Sequence, residues 1–502
     1  MRSQLQLHRQ CFRRHCNSSQ SCKIQGIRRE IRFRSCVGDS SRQIRFRYGQ
    51  VFRNLGSRKM ERPHGKRAMH WLLDRATQLT NLEREPPAPE LLTCEAALRT
   101  TALAATLLFA HGQTTERTVT AAERLGRALG VTVKVLPYWG ELTVGLEGAP
   151  ISQIVPAKPL GVDMGRVLVV TTVIDQVCHG TLSAEAAQSA LESAGRLPPA
   201  STPRFTLFAA IGAASLGVIF GTLDATSLLL IAASAAIGAL VRRWLSGFSN
   251  NPLIQPLCAA FIAGVVAAAA SRFQLSHAAA LVAFCPCMVL VPGPHILNGA
   301  IDLARTRIAL GIARLAYAGV IVLMICAGGL FGFAAVGAKL AIAGSSPPVP
   351  LVIDVIAAGC AVASFGTFFS MPWRLLTFPI AIGMLAHAAR WALISVAGGT
   401  APTGALVACM LVSVLATPVV DRLHLPFAAV AFSAVVSLMP GFFLFNAATG
   451  LVELVSIGPS APAALLISIV TSGATAFLII MAMTFGLILP RMLSERVLPA
   501  PA

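Results

Sequence analysis

The chain has 502 residues, of which 55% are apolar and 13% charged, with a mean hydropathy of +0.68. That composition excludes an ordinary soluble protein and leaves a membrane class. The formal charge of +19 is concentrated at the front, where residues 1–60 hold 15 Lys and Arg against Glu30 and Asp39. The remainder is mildly basic, which suits basic loops at a membrane face and gives no support for binding nucleic acid.

Residues 1–68 read as a basic, disordered extension. They carry Cys11, Cys16, Cys22 and Cys36 without metal-ligand spacing, and no apolar run long enough for a signal-peptide core. One reading is an Arg-rich tail touching anionic lipid or nucleic acid. The other is an extension translated from an upstream start, with Met60 or Met69 as the working beginning. A composition that cannot bury a core favours the second.

Residues 69–204 read as a small α+β domain. A helix is predicted over 90–110 and a second over 115–129, where Val119, Ala122, Leu125 and Leu129 return at helical spacing and Gly130 stops the run. Val131, Val133 and Val135 alternate with polar residues, as do Leu142, Val144 and Leu146, so the pair predicts a hairpin turning at 137–140. Residues 163–179 suit a buried helix or strand, and 183–193 a helix capped by Ser183. His111, Thr114, Thr115 and Glu116 form the one cluster that resembles a reactive constellation. The chain has no G-x-S-x-G elbow, P-loop or H-E-x-x-H motif, so a capping arrangement is preferred to catalysis and the protein is not expected to be an enzyme.

Ten hydrophobic segments follow, near 205–223, 225–241, 252–270, 277–296, 308–336, 349–370, 375–396, 403–420, 426–449 and 462–489. Each has the roughly 20-residue reach that a bilayer needs. With the amino end inside, internal loops collect Arg242, Arg243, Arg305, Arg307, Arg374, Arg422, Arg491 and Arg496, while external loops hold Arg272, Lys339 and Arg390. The positive-inside bias predicts cytosolic termini and a multi-pass protein of the cytoplasmic (inner) membrane.

Pro292-Gly293, four residues and Asn298 recur 148 positions later as Pro440-Gly441, four residues and Asn446. Arg242 and Arg390, Phe284 and Phe432, and Phe220 and Phe368 match at the same offset. The expectation is therefore an all-α membrane part of ten helices, built as two repeats over 205–336 and 349–490. Five spans per copy would invert the second relative to the first, as in many secondary transporters.

Proline lacks an N–H, so Pro292, Pro294 and Pro440 free the carbonyls of Met288, Leu290 and Val436. Freed carbonyls suit an ammonium group or cation, and the half-helix beyond each break suits a carboxylate. Asn298 and Asn446 can donate and accept, as a hydroxyl requires. The bland alternative is a pair of packing kinks. His295, Asn298 and Asp302 share one helix face as candidates for proton relay, although Asp302 could instead be a solvated partner of Arg305. Asp354 is a second coupling candidate, Arg314 a partner for Asp302 or a substrate carboxylate, and His387 reads as interfacial. Cys285-Pro-Cys287 resembles a heavy-metal pump motif, but no Asp-Lys-Thr-Gly phosphorylation motif accompanies it, and Ser433, Ala434 and Val435 stand at the matched positions. No metal or cofactor is expected.

The α+β domain with Gly112-x-Thr114-Thr115 before an amphipathic helix, the ten spans, and Val291-Pro-Gly-Pro294…Asn298-Gly299…Asp302-Leu303…Gly311…Arg314-Leu315 together resemble the threonine/serine exporter family, over about residues 90–490. The resemblance implies efflux of small hydroxy amino acids by proton-coupled antiport. Related two-component members imply C4-dicarboxylate efflux as an alternative, and a membrane-tethered hydrolase is the remaining one. The expected partners are a small polar solute, protons and the bilayer, with homo-oligomerisation left open. Phe442, Phe443 and Gly450 stand where Pro294, His295 and Asp302 would be matched, so the copies are not chemically equivalent.

Overall fold

The computed structural model describes residues 94–249, 251–338, 349–422 and 427–497, which fall in one compact unit. The predicted basic extension and the front of the predicted α+β domain lie outside the described residues.

The α+β domain begins with α1 (Cys94–Ala110) and α2 (Thr115–Ala128). Three strands follow, β1 (Val133–Tyr138), β2 (Gly140–Leu146) and β3 (Ser152–Ala157), in an antiparallel sheet of order β1-β2-β3. The predicted hairpin is present, with Val135 opposite Val144 and the turn tightened to Trp139-Gly140, where Gly140 has φ +94°. The third strand was not anticipated, because Ser152–Ala157 is half-exposed and lacks a clean alternation of apolar residues. Residues 163–179 resolve as helix α3 (Met164–Cys178), N-capped by Asp163, and α4 (Ala184–Gly195) is N-capped by Ser183 as expected.

Val133, Val135, Leu142 and Val144 point from the sheet onto Leu98, Ala102 and Phe109 of α1, and Leu310 from the membrane part closes the same core. Burying apolar side chains of this size stabilises by about 1.5–3 kcal/mol each.

The apolar part runs through α5 (Thr202–Ile219), α6 (Ala225–Leu245), α7 (Ile254–Arg272), α8 (Ala279–Met288), α9 (Gly293–Ala304) and α10 (Ile308–Val336). It continues with α11 (Leu351–Phe368), α12 (Trp373–Trp391), α13 (Ala401–Arg422), α14 (Phe427–Val435), α15 (Gly441–Ile457) and α16 (Ala463–Val497). Among the described residues nine helices are long and apolar enough to cross a membrane. The pair α8 and α9, bent by 61° at its break, makes ten if counted as one broken span. The expected 426–449 span is interrupted: α14 ends at Val435, a 3-10 turn covers Val436–Leu438, and α15 runs on to Ile457.

The helix contacts have a regular form. α5 packs on α6, α7 on α10 and α9 on α10; α11 packs on α12, α13 on α16 and α15 on α16. These are the same pairings displaced by 148 residues. α5 and α11, which occupy equivalent positions, pack on each other.

Small residues set the closest approaches. A Cβ on Gly328 of α10 would lie 2.2 Å from the Leu257 carbonyl oxygen on α7, whereas one on Gly319 of the same helix would meet nothing within 4 Å. Gly328→Ala should therefore destabilise the protein by about 1–3 kcal/mol through forced separation of α7 and α10. Gly319→Ala should not, and thermal unfolding in detergent compares them directly.

Candidate transport site

The two helix breaks are alike bond for bond. Val291 N–H donates to the Met288 carbonyl at 3.2 Å, and Met439 N–H to that of Val436 at 3.1 Å. Gly293 N–H donates to the Val291 carbonyl at 2.8 Å, and Gly441 N–H to that of Met439 at 2.9 Å, each closing a tight turn around its proline. Ile296 N–H then reaches the Pro292 carbonyl at 3.1 Å and Leu444 N–H that of Pro440 at 3.0 Å. Local turns therefore occupy the Met288 and Val436 carbonyls that the prolines release. At α9 the donors are also few, since Pro294 has no N–H and His295 N–H donates to the Pro292 carbonyl at 3.0 Å.

The breaks meet each other. A Cβ on Gly293 would lie 3.0 Å from Val436 and 3.6 Å from Met439; one on Gly441 would lie 3.0 Å from Met288 and 3.6 Å from Val291. Each contact is the other displaced by 148 positions. Phe284, Phe442 and Phe445 pack beside the junction, with Phe284 centred 4.4 Å from Phe445 and 5.8 Å from Phe442. A small cavity there is lined by Phe284, Met288, Val291 and Leu444.

Beyond the first break, α9 and α10 form a hairpin whose backbones nearly touch. A Cβ on Gly311 would sit 2.8 Å from the Gly299 carbonyl oxygen. This closeness lets Asp302 and Arg314 meet, with Nε 3.1 Å from Oδ2 and both side chains only 1% exposed. Arg307 approaches the other carboxylate oxygen at 3.6 Å, and Arg314 also lies over the Phe109 ring at 5.0 Å. The alternative pairing with Arg305 is overturned, because Arg305 binds Glu116.

The α+β domain inserts the Gly112–Glu116 loop into this hairpin. Thr115 Oγ1 donates to Asp302 Oδ2 at 2.9 Å and accepts from Arg314 Nη2 at 3.4 Å. Asn298 Nδ2 donates to the Gly112 carbonyl at 3.3 Å. Gly112 has φ +93°, and an added Cβ would be 3.1 Å from Val162, so both backbone and space demand glycine here. The capping expectation for this cluster is corrected: Thr114 is the N-cap residue of α2 but makes no side-chain cap bond, and Thr115 spends its hydroxyl on the membrane hairpin. His111 Nε2 faces Arg166 Nη1 of α3 at 3.3 Å.

The side-chain carbonyl oxygens of Asn298 and Asn446 are both buried without a hydrogen-bond partner among the described residues. His295 is buried and stacks edge-on against Tyr317, centroids 5.2 Å apart. Asp354 is well removed from these groups in sequence and in partners. It accepts from His387, with Oδ2 3.2 Å from Nδ1, and His387 Nε2 lies 3.0 Å from Ser437 Oγ. His387 is fully buried, so its interfacial reading is corrected. Sequence missed this group because its members come from α11, α12 and the turn before Pro440, with no spacing that links them. Cys285 and Cys287 are buried, and no group of potential metal ligands occurs among the described residues.

A bundle of nine or ten apolar spans, broken at its centre and closed by an attached α+β domain, defines a polytopic integral membrane protein. Residues 99–336 match the family model ThrE, a threonine/serine exporter, and residues 354–493 match a second model described as Threonine/Serine exporter, ThrE. The chain belongs to the threonine/serine exporter family. No curated protein and no solved structure shows a significant match.

Removing one member of a buried ion pair leaves an uncompensated charge, at a cost of about 3–5 kcal/mol. Asp302→Ala and Arg314→Leu should each lower thermal stability on that scale, and the double variant should lose clearly less than the sum of the two. His111 supplies a separate acid response. Burial, and then the Arg166 charge, lower its pKa from 6.5 to about 4. Between those values the unfolded chain binds a proton that the folded domain refuses, so stability falls as pH falls through that window. His111→Gln should flatten the dependence of the melting temperature on pH between about 6.5 and 4.

Proposed function

We propose that this protein exports small hydroxy amino acids, threonine and serine, across the cytoplasmic membrane in exchange for protons. In this reading it has two inverted halves and a cytosolic α+β domain that acts as gate. The carrying observation is the environment of Thr115. A threonine hydroxyl is held in a buried site by a carboxylate that accepts from it and a guanidinium that donates to it. That is the chemistry a free threonine would need, with Arg314 also able to take its carboxylate. The unpartnered Asn298 and Asn446 oxygens suit the ammonium group. The loop thus occupies the cytosolic mouth as a stand-in for substrate, and cytosolic threonine competes with it.

Matching breaks in the two halves, their reciprocal contacts and the repeated helix pairings support an alternating-access arrangement around the junction. Buried Asp302 disfavours the C4-dicarboxylate alternative, because a second carboxylate on the solute would face it. His295, Asp302 and Asp354 remain the ionisable groups through which protons could couple.

Efflux of labelled threonine, serine and succinate from loaded cells tests the reading. Threonine and serine should leave faster with the protein present and succinate should not; equal stimulation of succinate alone would reverse the assignment. Asn298→Ala and Asn446→Ala should each reduce threonine efflux by about tenfold at equal membrane abundance. Thr115→Val, which removes the competing hydroxyl but keeps the shape, should raise apparent threonine affinity by about threefold to tenfold.

A further inference from the structure

We infer that Asp354, His387 and Ser437 form the proton-carrying site of this transporter, on the side of the membrane opposite the α+β domain, and that it acts on the second helix break. The inference rests on the proton-coupled exporter reading and names the group that does the coupling.

The position follows from the ends of α11. Met164 N–H of the α+β domain donates to the Phe369 carbonyl at 2.7 Å, just past the carboxyl end of α11, and Arg204 reaches the Met371 carbonyl beside it. Asp354 lies at the other end of the helix, roughly 22 Å away at 1.5 Å per residue. A proton arriving from the external side therefore meets Asp354 long before it could meet Asp302. Asp302 is already engaged by Arg314, Arg307 and Thr115 in the site beside the α+β domain.

Among the described residues, the surroundings contain little else that titrates. α11 packs on α5, α12, α14 and the Val436–Leu438 turn. Arg204, the basic group of α5, is committed at the far end; α14 carries no titratable residue, and neither does the turn. On α12, Arg374 is exposed near the amino end, and Arg390, three residues after His387, places its charge near Asp354. A carboxylate and an imidazole are thus buried together, with the imidazole in the middle of a chain that ends on a hydroxyl.

The chain converts a proton into a change of hydrogen-bond direction. With the imidazole neutral and its Nδ1–H donating to Asp354, Nε2 accepts the Ser437 hydroxyl hydrogen. Uptake of one proton from external water gives an imidazolium facing the carboxylate, and the net charge rises by one. Both ring nitrogens then carry hydrogen, so Nε2 donates to Ser437 Oγ and the hydroxyl hydrogen must turn to another acceptor. No bond other than N–H forms, and release of that proton restores the first state. Ser437 belongs to the 3-10 turn Val436–Leu438, and its neighbours Val436 and Met439 are the residues packed against Gly293. A reversed bond there bears on the junction of the two halves, which is where coupling must act. Thr206, Ala239 and Val289 stand at the matched positions of the first half, so this group is present in the second half alone.

The test uses the full chain in proteoliposomes, with two readouts: threonine transport driven by a pH gradient, and exchange of labelled for unlabelled threonine without a gradient. His387→Gln and Asp354→Asn should lose gradient-driven transport by tenfold or more while retaining exchange, and Ser437→Ala should weaken gradient-driven transport with exchange intact. A normal response to the gradient in His387→Gln would overturn the inference. So would parallel loss of both readouts in all three variants, which would make the group a packing element. Absence of threonine exchange in the unaltered protein would instead overturn the exporter reading on which the inference rests.

Discussion

A helix that stops inside a bilayer leaves backbone groups that hydrocarbon cannot satisfy, at several kcal/mol for each unpaired group. The protein meets this constraint twice, at Pro292 and Pro440, with the same set of local turns. Those turns consume the carbonyls that the prolines release, so the polar chemistry of the centre passes from backbone to side chains. The two stops also lie against each other, which shelters both from lipid. Neither break could persist alone on a lipid-facing surface.

The side chains that take over differ between the two ends of the bundle. Next to the α+β domain, α9 and α10 cross at Gly299 and Gly311 and hold Asp302 against Arg314. The domain completes that site rather than merely resting on it, because Thr115 and the Gly112 carbonyl supply bonds that the hairpin groups would otherwise lack. At the opposite end a separate carboxylate, Asp354, is tied through His387 to the turn before the second break. The Asp302–Arg314 group and the Asp354–His387 group are thus separate, with an apolar, aromatic junction at the helix breaks.

Much of this was legible in the sequence, for definite reasons. Proline, glycine and asparagine are costly in a membrane helix, so their recurrence at one offset carried information that alanine and leucine could not. It located both breaks, and the charges of Asp302 and Arg314 identified a pair that the fold does bring together. Partner choice was harder. Arg305 stands closer in sequence to Asp302 than Arg314 does, yet it reaches outward to Glu116, since the turn after α9 faces the α+β domain. Thr115 looked like part of a helix cap because its real partner is 187 residues away. His387 looked interfacial because an arginine follows it by one turn, and only the packing of α11, α12 and α14 encloses it. Contacts between elements distant in sequence leave no periodic trace, and these are where reading by pattern stops.

The most direct measurement is an experimental structure of the full-length protein determined with saturating threonine. The account predicts threonine bound within the hairpin of α9 and α10, its hydroxyl or carboxylate on Asp302 and Arg314 and its ammonium on the Asn298 carbonyl oxygen, with the Thr115 hydroxyl withdrawn from Asp302. Threonine bound elsewhere, or bound while the bond between Thr115 and Asp302 stays intact, would contradict it.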